Sequence, residues 1–184
     1  MARVPRIEFV PEKWRSQARE DHPLPIGYGQ TISQPSLVDE MVAELRLKPT
    51  DRVLEIGCGS GYQAAVLAQY AAEVYSVEII PQLAEEATKR LQRLGYRNIK
   101  VKCDDGYAGW PEYAPFDAVI LAAAVETLPE PLAEQLAEGG RILYPQGRTG
   151  EVQVLVKGYK EQGILETDKL FAVRFVPFTR KQDH

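Results

Sequence analysis

Short apolar runs alternate with helical patterns through the middle of the chain. The runs "RVLEI", "EVYSVE", "NIKVK", "FDAVILAAA" and "RILYPQG" each have the length and composition of a buried strand. Helical patterns lie between them, in "YQAAVLAQYA" and in the short segment "PEPLAEQLAEGG" with its glycine stop. A further helix can begin at Pro81 and end before Gly95. This alternation predicts a parallel sheet with helices on both faces.

Both ends of the chain depart from this alternation. Only a turn at Glu161-Gln162-Gly163 separates "EVQVLVKGYK" from "ILETDKLFAVRFVPF", which predicts an antiparallel hairpin. An amphipathic helix ahead of the first strand is indicated by the apolar residues Leu37, Val38, Met41, Val42 and Leu45. The expected fold class is therefore α/β: a doubly wound, mostly parallel seven-stranded sheet with a C-terminal antiparallel hairpin. Residues 1–184 are expected to form one domain.

Composition narrows the classes of function. No run approaches eighteen consecutive apolar residues, and the N-terminus lacks the apolar core of a signal peptide, so no membrane partner is expected. The net charge of −4 argues against a nucleic-acid partner. Cys58 and Cys103 are interpreted as reduced thiols of a cytoplasmic protein. His22 and His184 lie far apart without ligand spacing, so no metal site is expected.

A glycine turn follows the first predicted strand, in "LEIGCGSGYQAAVL". Gly57, Gly59 and Gly61 lie where ligands bind in open α/β sheets, beyond the carboxyl end of a strand, and glycine lets the backbone approach a ligand. The plainer interpretation is a strand–helix turn without a ligand. A dinucleotide fingerprint would place its third glycine at position 62, where this chain has Tyr62. A nicotinamide oxidoreductase is therefore disfavoured.

Two acidic residues complete the pattern. Glu78 ends the second strand, about 20 residues after the turn, where a carboxylate accepts hydrogen bonds from ribose hydroxyls. Asp105 precedes Gly106 after the third strand, where it could accept a hydrogen bond from an adenine amino group. A solvated strand end and an Asp-Gly turn are the respective structural alternatives. A nucleoside site without a pyrophosphate clamp suits S-adenosylmethionine, and "VLEIGCGSG" resembles the signature of Rossmann-like class I methyltransferases.

A second stretch, "PLPIGYGQTISQPSLVDEM", resembles the signature of the protein-L-isoaspartate O-methyltransferase family. The resemblance continues through "VPRIEFVPE", "DGYAGWPEYAPFDAVI", "GGRILYPQG" and "AVRFVPFT", so it covers nearly the whole chain. It implies transfer of a methyl group from S-adenosylmethionine to the α-carboxylate of L-isoaspartyl residues in damaged proteins and peptides. The ester then closes to a succinimide, which hydrolyses partly to normal aspartate. No strong base is required, because the carboxylate is already ionised at neutral pH.

The resemblance also implies roles for individual residues. The expected cofactor-binding residues are Thr31, Ile32, Ser33, Glu55, Gly57, Gly59, Gly61, Glu78, Asp105 and Gly106. Ser33 is the expected catalytic serine, which positions the substrate carboxylate together with the backbone of Thr31 and Ile32. On sequence grounds alone, Ser33 could instead cap the helix that begins near Pro35. A strand "RFVPF", with Val176 and the following Thr179, is the expected substrate-binding edge, where main-chain pairing would accept many peptide sequences.

Several positions depart from the family's pattern. Asp104 replaces a usual glycine and is expected to add negative charge beside the adenine site. Val125, Tyr144 and Gln146 also differ, and with the few residues ahead of "VPRIEFVPE" they suggest changes on the substrate side. Two alternatives stay open: a carboxyl methyltransferase for another peptide or small molecule, and a catalytically weak cofactor-binding interaction module. The intact "GQTIS" argues against the second. The protein is expected to act as a monomer.

Overall fold

A seven-stranded sheet and a small two-stranded sheet make up the β-structure of the computed structural model, which describes residues 4–148 and 150–181. The strands are β1 (Leu24–Gly27), β2 (Gln30–Ile32), β3 (Arg52–Ile56), β4 (Glu73–Glu78), β5 (Ile99–Cys103), β6 (Phe116–Leu121), β7 (Leu136–Gln146), β8 (Gln153–Glu161) and β9 (Ile164–Val173). The large sheet has the order β5-β4-β3-β6-β7-β8-β9. Strands β3 to β7 run parallel, and β8 and β9 add antiparallel pairs. The predicted fold class is thus confirmed. His184 lies outside the described residues.

Four α-helices accompany these strands within the described ranges: α1 (Pro35–Leu45), α2 (Tyr62–Leu67), α3 (Pro81–Arg93) and α4 (Glu130–Glu134). Short 3-10 helices cover Arg6–Phe9, Glu12–Gln17, Gly106–Ala108 and Pro111–Tyr113. As predicted, Pro81 begins α3, since its ring presets the φ angle of a first helical residue. Gly95 follows the end of α3 with φ +83°. None of these helices is both long and apolar enough to cross a membrane.

The core lies on both faces of the large sheet. Neighbouring residues Val53 and Leu54 of β3 are completely buried in different apolar clusters, because successive strand side chains point to opposite faces. One cluster lies under α1, α2 and the N-terminal segment, and includes Phe9 and Met41. The cluster on the opposite face contains Tyr75, whose ring packs against that of Trp110. Packing on both faces holds the carboxyl ends of the central strands in fixed positions.

The hairpin β1–β2 was not predicted. Its strands are only four and three residues long, and its turn places Gly27, Tyr28 and Gly29 at φ +97°, +52° and +71°. Leu24 and Ile26 face inward and are buried, while the alternate residues Pro25 and Gly27 are exposed. Because β2 leads directly towards Ser33 and α1, this hairpin sets the approach to the predicted site.

The predicted strand "RFVPF" is wrong as part of the sheet, because β9 ends at Val173. The following segment, residues 174–179, runs beside Ala124 instead. The Ala124 N–H donates to the Val176 carbonyl at 2.8 Å, and the Phe178 N–H donates to the Ala124 carbonyl at 3.0 Å. Pro177 has no N–H to contribute to a ladder, and the Phe175 N–H donates to the side chain of Gln153 at 2.9 Å. The segment is therefore extended but separate from β9.

Candidate active site

A cavity opens at the carboxyl ends of β3 and β4. Its wall combines the glycine turn, the end of β2, the end of β4 and the segment after β9. The predicted site residues on this wall are Thr31, Ile32, Ser33, Gly57, Gly59, Glu78, Gly106, Val176 and Thr179. Glu55, Gly61 and Asp105 lie nearby but do not line it. Residues from five distant parts of the sequence therefore meet at the position predicted for a ligand.

The glycine turn is held by hydrogen bonds from its backbone to β4. The Gly57 N–H donates to the Val77 carbonyl at 2.8 Å, and the Gly59 N–H donates to Glu78 Oε2 at 2.7 Å. Gly57 and Gly59 have φ of +94° and +53°, which glycine adopts readily and other residues do not. At Gly106, a Cβ atom would lie 2.4 Å from Cγ2 of Ile56. Glycine is therefore required by the backbone conformation at Gly57 and Gly59 and by close packing against Ile56 at Gly106.

Glu78 is almost completely buried, yet it borders the cavity. Its Oε1 accepts the N–H of Ile80 at 3.0 Å, while its Oε2 accepts that of Gly59. A carboxylate oxygen has two lone pairs, so each oxygen can accept one more hydrogen bond. Ribose hydroxyls are suitable donors, and the open glycine turn beside them leaves room for a nucleoside. The residues present therefore fit the predicted cofactor.

Glu55 lies beneath the glycine turn and is completely buried. The Ser76 hydroxyl donates to its carboxyl group, and Gln63 lies beside it. Burial raises the pKa of Glu55 to about 8, although the hydrogen bond from Ser76 and the nearby Gln63 amide act in the opposite direction. At neutral pH Glu55 is mainly protonated, because an unpaired charge is costly in a buried site. The buried position of Glu55 next to the glycine turn indicates that it holds the turn in place.

The raised pKa of Glu55 predicts a pH-dependent stability. Between about pH 4.5 and 8 the folded state holds one proton more than the unfolded chain. The unfolding free energy should therefore fall as pH rises in this window, by up to about 1.4 kcal/mol per pH unit. Glu55→Gln removes this titration and should flatten the slope. Urea unfolding of both proteins at pH 5.5, 6.5 and 7.5 measures the difference, and parallel slopes would contradict the assignment.

Ser33 lies between this cavity and a second one. The second cavity is lined by Pro23, Thr31, Ser33, Gln34, Leu37, Ala122, Arg174, Phe175 and Val176. Thr31, Ser33, Ala122 and Val176 border both cavities, so the two cavities are adjacent there. The wall of the second cavity carries the exposed, cationic Arg174. The arrangement leaves room for a ligand in each cavity, on either side of Ser33.

The structure contradicts the alternative that Ser33 caps α1. Gln34 is the N-cap residue, and its side chain forms no capping hydrogen bond. Instead, the Ser36 N–H donates to Asp21 Oδ1 at 2.9 Å, and the Ser36 hydroxyl donates to Asp21 Oδ2 at 2.7 Å. The carboxylate of Asp21, from the loop before β1, thus accepts hydrogen bonds from the first turn of α1. Ser33 has no such structural duty at this helix end.

Arg6 holds the backbone around Ser33, and the sequence analysis did not identify it. Its buried guanidinium donates to the carbonyl oxygens of Ala18, Glu20, His22 and Ser33. The bond to the Ser33 carbonyl measures 3.1 Å. Burial lowers the pKa of Arg6 from its usual range, with nearby Tyr62 and Asp21 acting in the opposite direction. A basic residue inside the apolar run "VPRIEFV" is the sequence signal that could have indicated this role.

The two acidic residues after β5, Asp104 and Asp105, form hydrogen bonds and ion pairs with the C-terminal segment. Asp105 Oδ1 accepts the Tyr107 N–H at 2.9 Å, as an Asp-Gly turn would require, and Oδ2 accepts Arg180 Nε at 2.8 Å. Burial favours a higher pKa for Asp105, but these hydrogen bonds hold its pKa below the usual range. Asp104 pairs with Lys181 and Lys102 at 2.7 and 2.9 Å. The expectation of added negative charge is therefore wrong, because two lysines offset the charge of Asp104.

The other departures from the family pattern lie away from the cavities. Val125 and Gln146 form a bridge with each other, and the Val125 N–H donates to the Pro145 carbonyl at 3.0 Å. Tyr144 is buried in the core. None of the three lines either cavity. Any effect of these residues on the substrate side would therefore be indirect, and that expectation stays a prediction.

Comparisons with known proteins agree with this geometry. A family model described as "Protein-L-isoaspartate(D-aspartate) O-methyltransferase (PCMT)" matches residues 1–183. The protein-L-isoaspartate O-methyltransferase of Gloeobacter violaceus is 52% identical over 186 residues, which cover 100% of this chain and 91% of that protein. A relative of the same name from Roseiflexus sp. is 53% identical over 177 residues, with 96% and 81% covered.

Solved structures give the same result. A protein-L-isoaspartate O-methyltransferase structure has a TM-score of 0.87 and 34% identity. The match covers 95% of this chain but only 58% of that longer chain. A β-aspartate methyltransferase from Plasmodium falciparum, solved in complex with S-adenosyl-L-homocysteine, has a TM-score of 0.81 and 27% identity, with 97% and 87% covered. The family model and the identities over nearly the whole chain agree, and the chain belongs to the protein-L-isoaspartate(D-aspartate) O-methyltransferase family.

Proposed function

We propose that this chain transfers a methyl group from S-adenosylmethionine to the α-carboxylate of L-isoaspartyl residues in damaged proteins and peptides. The observation that carries the proposal is the pair of adjacent cavities, both of which are lined by Ser33. The first has a glycine turn and a carboxylate suited to a nucleoside. The second has a cationic wall suited to a substrate carboxylate. Family membership supplies the reaction that joins the two.

The first cavity would hold the cofactor. Glu78 would accept the ribose hydroxyls, and the backbone of Gly57 and Gly59 would lie against the ligand. Gly106 and the neighbouring Asp105 would lie on the adenine side, while Glu55 and Gly61 support the turn. Bound there, S-adenosylmethionine supplies an electrophilic methyl group on a sulfonium leaving group.

The residues around Ser33 would position the nucleophile. The Ser33 hydroxyl and the N–H groups near Thr31 and Ile32 can donate to a carboxylate oxygen, and Arg174 adds a positive charge on the same wall. A carboxylate is ionised at neutral pH, so these groups orient it and need not remove a proton. Holding the oxygen in line with the methyl–sulfur bond in a partly closed cavity supplies the rate enhancement.

Glu78→Ala should weaken cofactor binding. Removal of hydrogen bonds to a charged group costs about 1.5–3 kcal/mol, which corresponds to at least a tenfold loss of affinity. The loss includes the bond that orients the Gly59 N–H. Titration calorimetry with S-adenosylhomocysteine measures the change, and circular dichroism checks the fold. Unchanged affinity of the folded variant would remove Glu78 from the ribose-binding role.

The substrate assignment is tested with paired peptides that differ only in isoaspartate or aspartate. With radiolabelled S-adenosylmethionine, the protein should label the isoaspartyl peptide alone. Labelling of other carboxylates with no preference for isoaspartate would favour the broader carboxyl methyltransferase. Cofactor binding without labelling of any peptide would favour the catalytically weak interaction module.

We further propose that residues 1–184 act as one domain and as a monomer in the cytoplasm, without membrane or nucleic-acid partners. The net charge of −4 supports the last point, since phosphates repel an acidic surface. Cys58 and Cys103 are free, which suits a reducing compartment. Sedimentation velocity at several concentrations tests the monomer.

A further inference from the structure

The segment after β9 borders both cavities, although it belongs to neither sheet. Val176 lines both cavities, Phe175 lines the second, and Pro177 to Thr179 line the first. Its backbone is hydrogen-bonded to Ala124, in the loop after β6, and to the side chain of Gln153 on β8. The segment thus forms part of the wall of both cavities. Its position depends on the contacts at its C-terminal end, at residues 180 and 181.

Four contacts hold that C-terminal end. Arg180 Nε lies 2.8 Å from Asp105 Oδ2, and the Lys181 N–H donates to the same oxygen at 3.2 Å. Lys181 Nζ lies 2.7 Å from Asp104 Oδ1. The Arg180 guanidinium carbon lies 3.7 Å from the centre of the Tyr107 ring, within the range of a cation–π contact. Two consecutive basic residues thus bind two consecutive acidic residues.

These contacts connect the two ends of the site. Asp104 and Asp105 directly follow β5 and precede Gly106, which lines the first cavity. The Asp105 side chain is 15% exposed, so its pair with Arg180 is partly shielded from solvent. A single exposed ion pair contributes little, but several contacts on adjacent residues act on the same segment. The ion pairs therefore hold the segment after β9 in a fixed position relative to the end of β5, where the adenine is expected to bind.

We propose that Arg180 and Lys181 are positioning residues, which bind Asp105 and Asp104 and so hold residues 176–179, the wall of the first cavity that continues through Val176 into the second, in place before the peptide binds. The proposal rests on the proposed function of the two cavities. Without the ion pairs, the segment is displaced in part of the molecules. Only molecules with the segment in place bind the peptide tightly, so the apparent peptide affinity falls in proportion to their fraction. The KM for the peptide should rise, whereas kcat, which is measured with the peptide bound, should stay nearly constant.

The test is a double-mutant cycle with Asp104→Asn, Lys181→Met and the combined variant. Each single change should raise the KM for the isoaspartyl peptide about threefold. The combined variant should show about the same increase, because both changes remove the Asp104–Lys181 pair, whereas the Asp104–Lys102 pair that Asp104→Asn also removes does not involve the segment. kcat should stay within about twofold of that of the unchanged protein. Lys169→Met on β9 is the control, since no ion pair joins Lys169 to another residue in the part of the chain that the structure describes.

Hydrogen exchange provides a measurement that does not depend on the reaction. The Phe178 N–H donates to Ala124, so its exchange reports how the segment is held. Exchange of residues 174–181 should be faster in Asp104→Asn and Lys181→Met, and unchanged in Lys169→Met. Unchanged exchange in the two variants would overturn the proposal, as would a KM increase that multiplies in the combined variant. Failure of the proposed function is distinguishable, because the unchanged protein would then not distinguish isoaspartyl from aspartyl peptide.

Discussion

Ser33→Asp should abolish methyl transfer to isoaspartyl peptide while the protein stays folded. The new carboxylate would lie where the substrate carboxylate is expected. Two like charges about 4 Å apart repel by about 4 kcal/mol at an effective dielectric constant of 20, which corresponds to a loss of about a thousandfold. Initial rates with radiolabelled S-adenosylmethionine measure this loss.

The structure makes the control for this variant straightforward. Asp21, and not Ser33, satisfies the first turn of α1, so the substitution should leave the melting temperature nearly unchanged. Ser33→Asn has the same shape without the charge and should retain much more activity than Ser33→Asp. Ser33→Ala should lose roughly tenfold, the effect of about 1.4 kcal/mol of lost positioning. An active Ser33→Asp enzyme would contradict the proposed role of Ser33.

Gly59→Val should abolish binding of the cofactor. The φ of +53° is strongly unfavourable for a β-branched residue, and reorientation of the turn would lose the bond from the Gly59 N–H to Glu78. A Cβ at this position lies 3.3 Å from Cδ1 of Ile26, so the side chain would also disturb the hairpin over the turn. Titration calorimetry with S-adenosylhomocysteine should show at least a hundredfold loss of affinity.

A matched control separates the site from general backbone strain. Gly95 has φ +83°, and a Cβ there would meet no atom within 4 Å. Gly95→Val thus introduces similar strain far from the cavity. It should lower the melting temperature but preserve cofactor affinity. Normal S-adenosylhomocysteine binding by folded Gly59→Val would show that the glycine turn is not the binding site.

The large sheet could be predicted because its signals are local. Each parallel strand is an apolar run bounded by glycine or polar residues, and Pro81 and Gly95 mark the ends of α3 within a few residues. The hairpin β1–β2 gave no comparable signal. It depends on Leu24 and Ile26 packing against residues far along the chain, and a non-glycine residue, Tyr28, adopts a positive φ at its turn.

The cofactor side of the candidate site was predicted from residue types and their spacing, whereas Ser33 and the segment after β9 were predicted only from the family resemblance. Gly57, Gly59 and Glu78 fall on the cavity wall, as their spacing suggested. Arg6 did not stand out, because its role arises when folding gathers the carbonyls it binds, from residues 12 to 27 positions away. The charge of Asp104 was misjudged for the same reason: its partner Lys181 is 77 positions away.

The two edge strands of the large sheet affect whether this protein aggregates with damaged polypeptides. Strands β5 and β9 form its two edges, and such edges can template pairing with other extended polypeptides. Lys100 and Lys102 lie on β5, and Glu166, Asp168 and Lys169 lie on β9. Charged side chains on edge strands oppose fibril-like stacking. We therefore expect the protein to remain free of co-aggregation in mixtures rich in misfolded substrates, where an enzyme with bare edges would be incorporated into the deposits.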